Sequence, residues 1–294
     1  MAAYPDDLRE LVESHLATLE FSSLPDTGGL DEAMRYSLLA GGKRIRPVLC
    51  LATARSAGLD PGVVLPTAAA IELIHTYSLI HDDLPAMDDD DTRRGRPTLH
   101  RARGEDVAIL AGDGLFAEAV RLVCESQRGE PRAVLDALRE LAAATGVGGM
   151  VGGQYVDVTG LAATGDDRGP DALRRLHSLK TGRLIAASVG VALALARVPE
   201  AARIPYRSFA AELGVLFQIV DDILDVTGSD EELGKPRGSD ERHGKLTYVS
   251  LFGVDGARQR AAGSHAKARA ALTEIEGDVG DLELITDFIY RRHS

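Results

Sequence analysis

Apolar positions recur every three to four residues along almost the whole chain. Leu8, Leu11, Val12, His15, Leu16 and Leu19 open the series. Met34, Leu38 and Leu39 continue it to a stop at Gly41-Gly42. Ala68 to Leu79, Val107 to Val123, Val134 to Thr145, Leu173 to Ala196, Tyr206 to Leu224 and Leu246 to Leu251 read as buried or amphipathic helices. Period-two alternation is missing, so strands are not expected. Gly58-Leu59-Asp60-Pro61-Gly62, Gly129-Glu130-Pro131, residues 165–170 and Val198-Pro199 mark the turns between helices. The pattern predicts a single all-α domain over residues 1–294, with no solenoid repeat and no linker. The longest polar stretch, Gly228 to Gly244, is expected to be a mobile lid.

Two acid clusters interrupt this apolar pattern. His81-Asp82-Asp83-Leu84-Pro85-Ala86-Met87 leads into Asp88-Asp89-Asp90-Asp91, and Gln218-Ile219-Val220-Asp221-Asp222-Ile223-Leu224-Asp225 forms the second. Carboxylates rarely end apolar runs, because apolar runs bury and unpaired acids do not. On a helix, Gln218, Asp225 and at least one of Asp221 and Asp222 share a face. Leu216, Phe217, Ile219, Val220, Ile223 and Leu224 leave that face little polar company, which disfavours a plain solvated acidic surface. Pro85 ends any helix after Asp82, so that acid sits at the negative end of a helix dipole. Both sets call for cations. Mg²⁺ fits, since it takes carboxylate oxygens together with substrate phosphates.

Basic groups lie nearby. Arg93-Arg94 follows the first cluster, and guanidinium forks match phosphate oxygens. Gly41-Gly42-Lys43-Arg44-Ile45-Arg46-Pro47 reads as a basic loop after a helix. It lacks the Walker A pattern, and its Lys-x-x-Arg spacing suits a diphosphate clamp as well as a surface turn. His75 lies seven residues before Asp82, on the same helical face. Gly148-Gly149-Met150-Val151-Gly152-Gly153-Gln154 does not fit a dinucleotide loop. Its glycines are read as allowing close helix approach, with Gln154 and Asp157 reaching a cavity.

Composition narrows the classes. The net charge of −12 argues against a nucleic-acid partner. Hydrophobic content of 45% supplies a large core. Cys50 and Cys124 both fall in apolar helical patterns, so no disulfide framework is expected and a reducing, cytoplasmic compartment fits. The start of the chain has no signal-peptide pattern. Ile185 to Ala196 is too short and alanine-rich to be read as a membrane span.

Taken with these residues, the chain resembles short-chain trans-prenyl diphosphate synthases of the bacterial farnesyl/geranylgeranyl type. Asp82-Asp83-Leu84-Pro85-Ala86-Met87-Asp88 with Arg93-Arg94-Gly95 is similar to the family's first aspartate-rich motif with its two-residue insertion. Asp221-Asp222-Ile223-Leu224-Asp225 is similar to the second. The Gly41–Pro47 segment, Leu110–Asp113, Gly153–Asp157, Lys180-Thr181-Gly182 and Gly244–Tyr248 match in family order. Ser239 departs, where many relatives carry a lysine.

The resemblance implies a bundle of about ten helices around a deep cavity, the isoprenoid synthase fold, and a homodimer. It implies head-to-tail addition of isopentenyl diphosphate to an allylic diphosphate, with farnesyl diphosphate as product and geranylgeranyl diphosphate as the alternative. Three Mg²⁺ ions would bridge the allylic diphosphate to Asp82, Asp88 and Asp221, with Asp83, Asp222 and Asp225 as further ligands or as acceptors for metal-bound water. Arg93, Lys180, Lys235 and Lys245 would neutralise that diphosphate. Lys43, Arg46, His75 and Arg94 would hold the other without metal. The carbonyls of Lys180 and Thr181 and the Gln218 amide would face the allylic cation. Tyr77, with Ser78 beside it, would set chain length.

Other readings fit less well. A class I terpene cyclase would carry an Asn/Ser/Glu metal motif in place of the second cluster and more aromatics than 4%. A silent regulatory subunit would have lost one acid set. A plain helical scaffold leaves both sets unexplained.

Overall fold

A computed structural model of the chain describes residues 4–160, 169–228 and 245–292. Lys235, the Gly238-Ser239-Asp240 departure, most of the expected lid and part of the 165–170 turn lie outside them. Among the described residues there are thirteen α-helices.

The early helices are α1 (Asp6–Thr18), α2 (Gly28–Leu38), α3 (Ile45–Ser56) and α4 (Pro61–Asp82). A two-residue ladder follows, β1 (Thr92–Arg93) and β2 (Arg96–Pro97), then α5 (Leu99–Arg103), α6 (Glu105–Ser126), α7 (Pro131–Thr145) and α8 (Met150–Thr159). The last five are α9 (Pro170–His177), α10 (Arg183–Leu195), α11 (Arg203–Thr227), α12 (Tyr248–Leu272) and α13 (Gly280–Arg291). The fold is all-α, as the periodicity predicts.

Helix ends follow local chemistry. Asp60 accepts from the Gly62 amide and Pro61 opens α4, a capped start with proline where no N–H is needed. Glu130 and Pro131 do the same for α7. Thr247 and Ser250 form a reciprocal capping box at α12.

Four expectations change. The basic segment is a loop only to Arg44. Ile45 starts α3, and Pro47 falls within its first turn, where a missing N–H costs nothing. The Leu246–Leu251 helix starts at Tyr248 and continues to Leu272, through a non-helical Gly253 at φ 69°. Strands are not wholly absent: Thr92 pairs with Pro97 and Arg93 with Arg96. Arg94 and Gly95 between them have φ 53° and 71°, the double left-handed turn that hairpins favour.

The fourth concerns apolar length. The Ile185–Ala196 stretch belongs to a continuous Pro170–Leu195 helical run, and this run and α4 are long and apolar enough to cross a membrane by length and composition. The bundle accounts for that character. Ala68, Ala70, Ile71 and Leu73 of α4 and Val191 and Ala192 of α10 are fully buried. α4 packs against α6 and α3, α10 against α7, and α11 against α12.

Candidate active site

A cavity of about 860 Å³ opens between the C-terminal halves of α4 and α11, with α3, α8 and the start of α12 around it. On the α4 wall, Asp82 ends the helix. After Pro85 the chain turns back, so that the Asp88 amide donates to the Asp82 carbonyl at 2.9 Å and the two acids share one rim. The Asp82 carboxyl is pushed up to about 6. Burial is the main cause, Asp88 and Asp83 add repulsion, and Lys180 opposes. Asp83 points elsewhere: it is buried, accepts from Arg93 Nε at 2.7 Å, and is absent from the cavity wall. Arg93 also reaches Asp90 at 3.5 Å.

On the α11 wall, Asp221 is exposed toward the cavity, while Asp222 and Asp225 are buried beside it. Asp222 accepts from Gln218 Nε2 and from the Tyr248 amide, both at 2.7 Å, so it ties the first N–H of α12 to α11. Thr181 Oγ1 donates to Gln218 Oε1 at 3.0 Å. Thr181 lies in a π-helical turn, Ser178–Gly182, between α9 and α10. Such turns break the regular ladder and are frequent at functional sites. α8 approaches this turn closely: a Cβ at Gly153 would collide with the Lys180 backbone nitrogen. Gly153 thus serves helix approach, whereas Gly149 and Gly152 meet the backbone of the preceding turn at Ala144 and Val147, and Gly148 faces open space.

Lysines bridge the walls. Lys180 Nζ lies 2.5 Å from Asp157, and Lys245 Nζ lies 2.9 Å from Asp88 and 3.8 Å from Asp157. Among the described residues no three carboxylate, imidazole or thiol groups converge on one point. The acids line opposing walls instead. The donor set fits Mg²⁺ held by one or two carboxylates and completed by phosphate and water. The burial and the carboxylate repulsion that raise Asp82 are both offset by a divalent cation beside it.

The basic set gathers apart from the acids. Arg46 is buried and donates to His75 Nε2 at 3.3 Å, which leaves the imidazole proton on Nδ1. Burial and the surrounding arginines hold His75 well below its usual value, so it is neutral. Arg46 Nε has no hydrogen-bond partner among the described residues. Arg94 donates to the Gly41 carbonyl, and Lys43 is exposed, 5.6 Å above the Phe288 ring. Arg46 and Arg292 flank the Phe217 ring at 5.5 and 5.7 Å. Tyr77 and Ser78 line the cavity one turn below Asp82 and deeper.

Pattern reasoning missed Arg44, Glu72 and Phe217. Glu72 was detectable: it is a lone acid inside the apolar Ala68–Leu79 run, the same anomaly that marks the aspartate clusters.

Residues 28–282 match the sequence profile described as "Polyprenyl synthetase". The chain is 43% identical over 289 residues to a farnesyl diphosphate synthase of Geobacillus stearothermophilus, covering 98% of this chain and 96% of that one. It is 48% identical over 233 residues to a chloroplastic geranylgeranyl pyrophosphate synthase 7 of Arabidopsis thaliana, covering 79% and 67%. A geranyltransferase of Helicobacter pylori, solved with magnesium and isoprenyl diphosphate, superposes with a TM-score of 0.83 at 30% identity, covering 98% and 97%. The profile match over residues 28–282 and the 43% identity across nearly the full length of both chains show that the chain belongs to the polyprenyl synthetase family and is a prenyltransferase.

Proposed function

We propose that this chain makes farnesyl diphosphate by adding isopentenyl diphosphate head to tail onto dimethylallyl and then geranyl diphosphate. The observation that carries this reading is the division of the cavity mouth. One side presents Asp82, Asp88 and Asp221, suited to a metal-bound diphosphate. The other presents Lys43, Arg46, His75 and Arg94, suited to a diphosphate held without metal. A cyclase, with one diphosphate to bind, has no use for the second set. A silent subunit has no use for two intact acid walls.

Asp82, Asp88 and Asp221 would hold Mg²⁺, three ions in all, which when bound neutralise the leaving diphosphate as Lewis acids. Asp225 would be a further ligand, while Asp83 and Asp222 orient Arg93 and Gln218. Lys180, Lys245 and Arg93 take the remaining allylic phosphate charge, and Lys235 is assigned with them. The allylic C–O bond breaks, the isopentenyl double bond attacks the cation, and the proton lost from the new chain goes to the departing pyrophosphate. Gln218 is oriented for this step: its Nε2 is fixed on Asp222, so Oε1 turns the other way, toward Thr181 and the cavity. The Lys180 and Thr181 carbonyls add dipoles of the same sign.

Farnesyl length is supported by the position of Tyr77 in the cavity wall. Geranylgeranyl diphosphate is the second reading, favoured by the similarity to the Arabidopsis synthase. The whole of residues 1–294 is assigned to one synthase domain acting in the cytoplasm. A homodimer is supported by one exposed apolar stripe outside the cavity, Ile109, Phe116 and Val120 on α6. The deciding experiment incubates purified protein with Mg²⁺, labelled isopentenyl diphosphate and each allylic starter, then measures product length. Farnesyl diphosphate from both dimethylallyl and geranyl starters is expected. Cyclised hydrocarbon from an allylic diphosphate alone would defeat the assignment.

A further inference from the structure

The loop that carries Lys43 is bent in an unusual way. Gly41, Gly42 and Arg44 have φ of 84°, 123° and 51°. Glycine adopts this left-handed region freely, but an arginine does not. Something must hold Arg44 there. Its guanidinium is fully buried and makes four hydrogen bonds: Nη1 to Glu72 at 2.6 Å, Nη2 to the Leu38 carbonyl at 2.7 Å and Glu13 at 3.4 Å, and Nε to Glu13 at 2.8 Å. A guanidinium has five N–H donors, so almost none remains for a substrate. Glu72 is equally enclosed, with a side chain 2% exposed.

We propose that the Arg44–Glu72 pair is a positioning device for the isopentenyl diphosphate site, locking the left-handed turn so that Lys43, Arg46 and His75 converge. The inference rests on the assignment of those three residues to that diphosphate. Both ends of the pair adjoin the site. Arg44 follows Lys43 directly and precedes Arg46 by two residues. Glu72 lies on α4 one turn before His75, which accepts from Arg46. The pair therefore ties the loop to the helix that bears the third ligand. Glu72 also supplies the buried negative charge against Arg44, Arg46 and Arg94. The packing around the turn is tight, since a Cβ at Gly42 would come within 2.9 Å of Arg94 Cζ.

The test uses Arg44→Lys, Glu72→Gln and the double variant Arg44→Met/Glu72→Leu, with Lys43→Ala as a reference. Melting is followed by circular dichroism, and each substrate is varied in steady-state kinetics. Arg44→Lys and Glu72→Gln are expected to raise KM for isopentenyl diphosphate by about tenfold or more, the usual scale for losing an orienting partner, with kcat and the allylic KM little changed. The double variant is expected to melt near wild type, because apolar packing can replace a buried ion pair, and yet to keep the raised KM. A normally melting double variant with wild-type KM would show the pair to be packing alone and overturn the proposal. So would equal rises in both KM values. If Lys43→Ala leaves the isopentenyl KM unchanged, the site assignment itself fails and the proposal falls with it. Where the double variant melts low, Glu72→Gln, which keeps the side-chain shape, decides.

Discussion

Replacing Tyr77 with alanine should lengthen the product by one isoprene unit. Tyr77 lies five residues before Asp82, so its Cα sits about 7.5 Å deeper along α4. Helical side chains lean toward the N-terminus, which carries the ring deeper still. An isoprene unit spans roughly 5 Å from its bond lengths. The ring would therefore meet the tail after two or three units. Truncation to Ala removes about 6 Å of side chain by the same bond lengths, room for one more unit. The ring does not stand alone. It packs edge-on against Phe116 of α6 at 5.4 Å and against His81 at 5.8 Å. Because it is only half-buried, its loss should cost about 2 kcal/mol, below the range for a fully buried aromatic. That is small enough for the variant to fold. The assay is chromatography of dephosphorylated products from geranyl diphosphate and labelled isopentenyl diphosphate. Wild type should stop mainly at farnesol, and Tyr77→Ala should add geranylgeraniol. Phe116→Ala combined with Tyr77→Ala should extend the shift. An unchanged distribution in Tyr77→Ala would place the floor elsewhere.

Chelation should abolish activity and Mg²⁺ restore it, and Asp82→Ala and Asp221→Ala should each lower kcat by on the order of 10²-fold or more; full activity in either would remove the metal assignment. Lys43→Ala or His75→Ala should raise KM for isopentenyl diphosphate selectively, and Arg93→Ala or Lys180→Ala should do so for the allylic substrate, so equal effects in all four would refute two separate sites. Burial pushes His177 down to about 4, so between pH 6.5 and 4 the unfolded chain takes a proton that the folded one refuses. Its contribution is thus intact above 6.5 and up to about 3 kcal/mol is lost as pH falls through that window; His177→Gln should flatten the melting temperature against pH there, and an unchanged slope would count against a buried neutral imidazole.

The helical class was legible because the apolar period is unbroken over most of the chain, and the acid rims were legible because carboxylates on apolar runs are anomalous. Asp82 at the end of α4 followed from Pro85 alone. The start of α3 was hidden, since Gly-Gly-Lys-Arg and Pro47 both signal a loop and only the buried partners of Arg44 show where it stops. The Thr92–Pro97 ladder is too short to leave a period. The difference between Asp82 and Asp83 was also out of reach. Adjacent residues on a helix end point about 100° apart, and which one meets the cavity depends on where the Arg93 hairpin docks. Asp222 could not be told from Asp221 for the same reason: its partner, the Tyr248 amide, comes from another helix.

The lysines explain how two acid walls can stand close together. Lys180 on Asp157, and Lys245 on both Asp88 and Asp157, set positive charge among carboxylates that would otherwise repel across the cavity. Asp157 lies on α8 and faces both ammoniums, so it holds them at the rim while Asp82 and Asp221 stay open to the cavity. In the proposed reaction a diphosphate arriving with divalent cations would offer each partner a better match, phosphate for the lysines and metal for the acids. Binding energy would then go into separating the diphosphate from the carbon it leaves, with little spent on bringing the acid walls together.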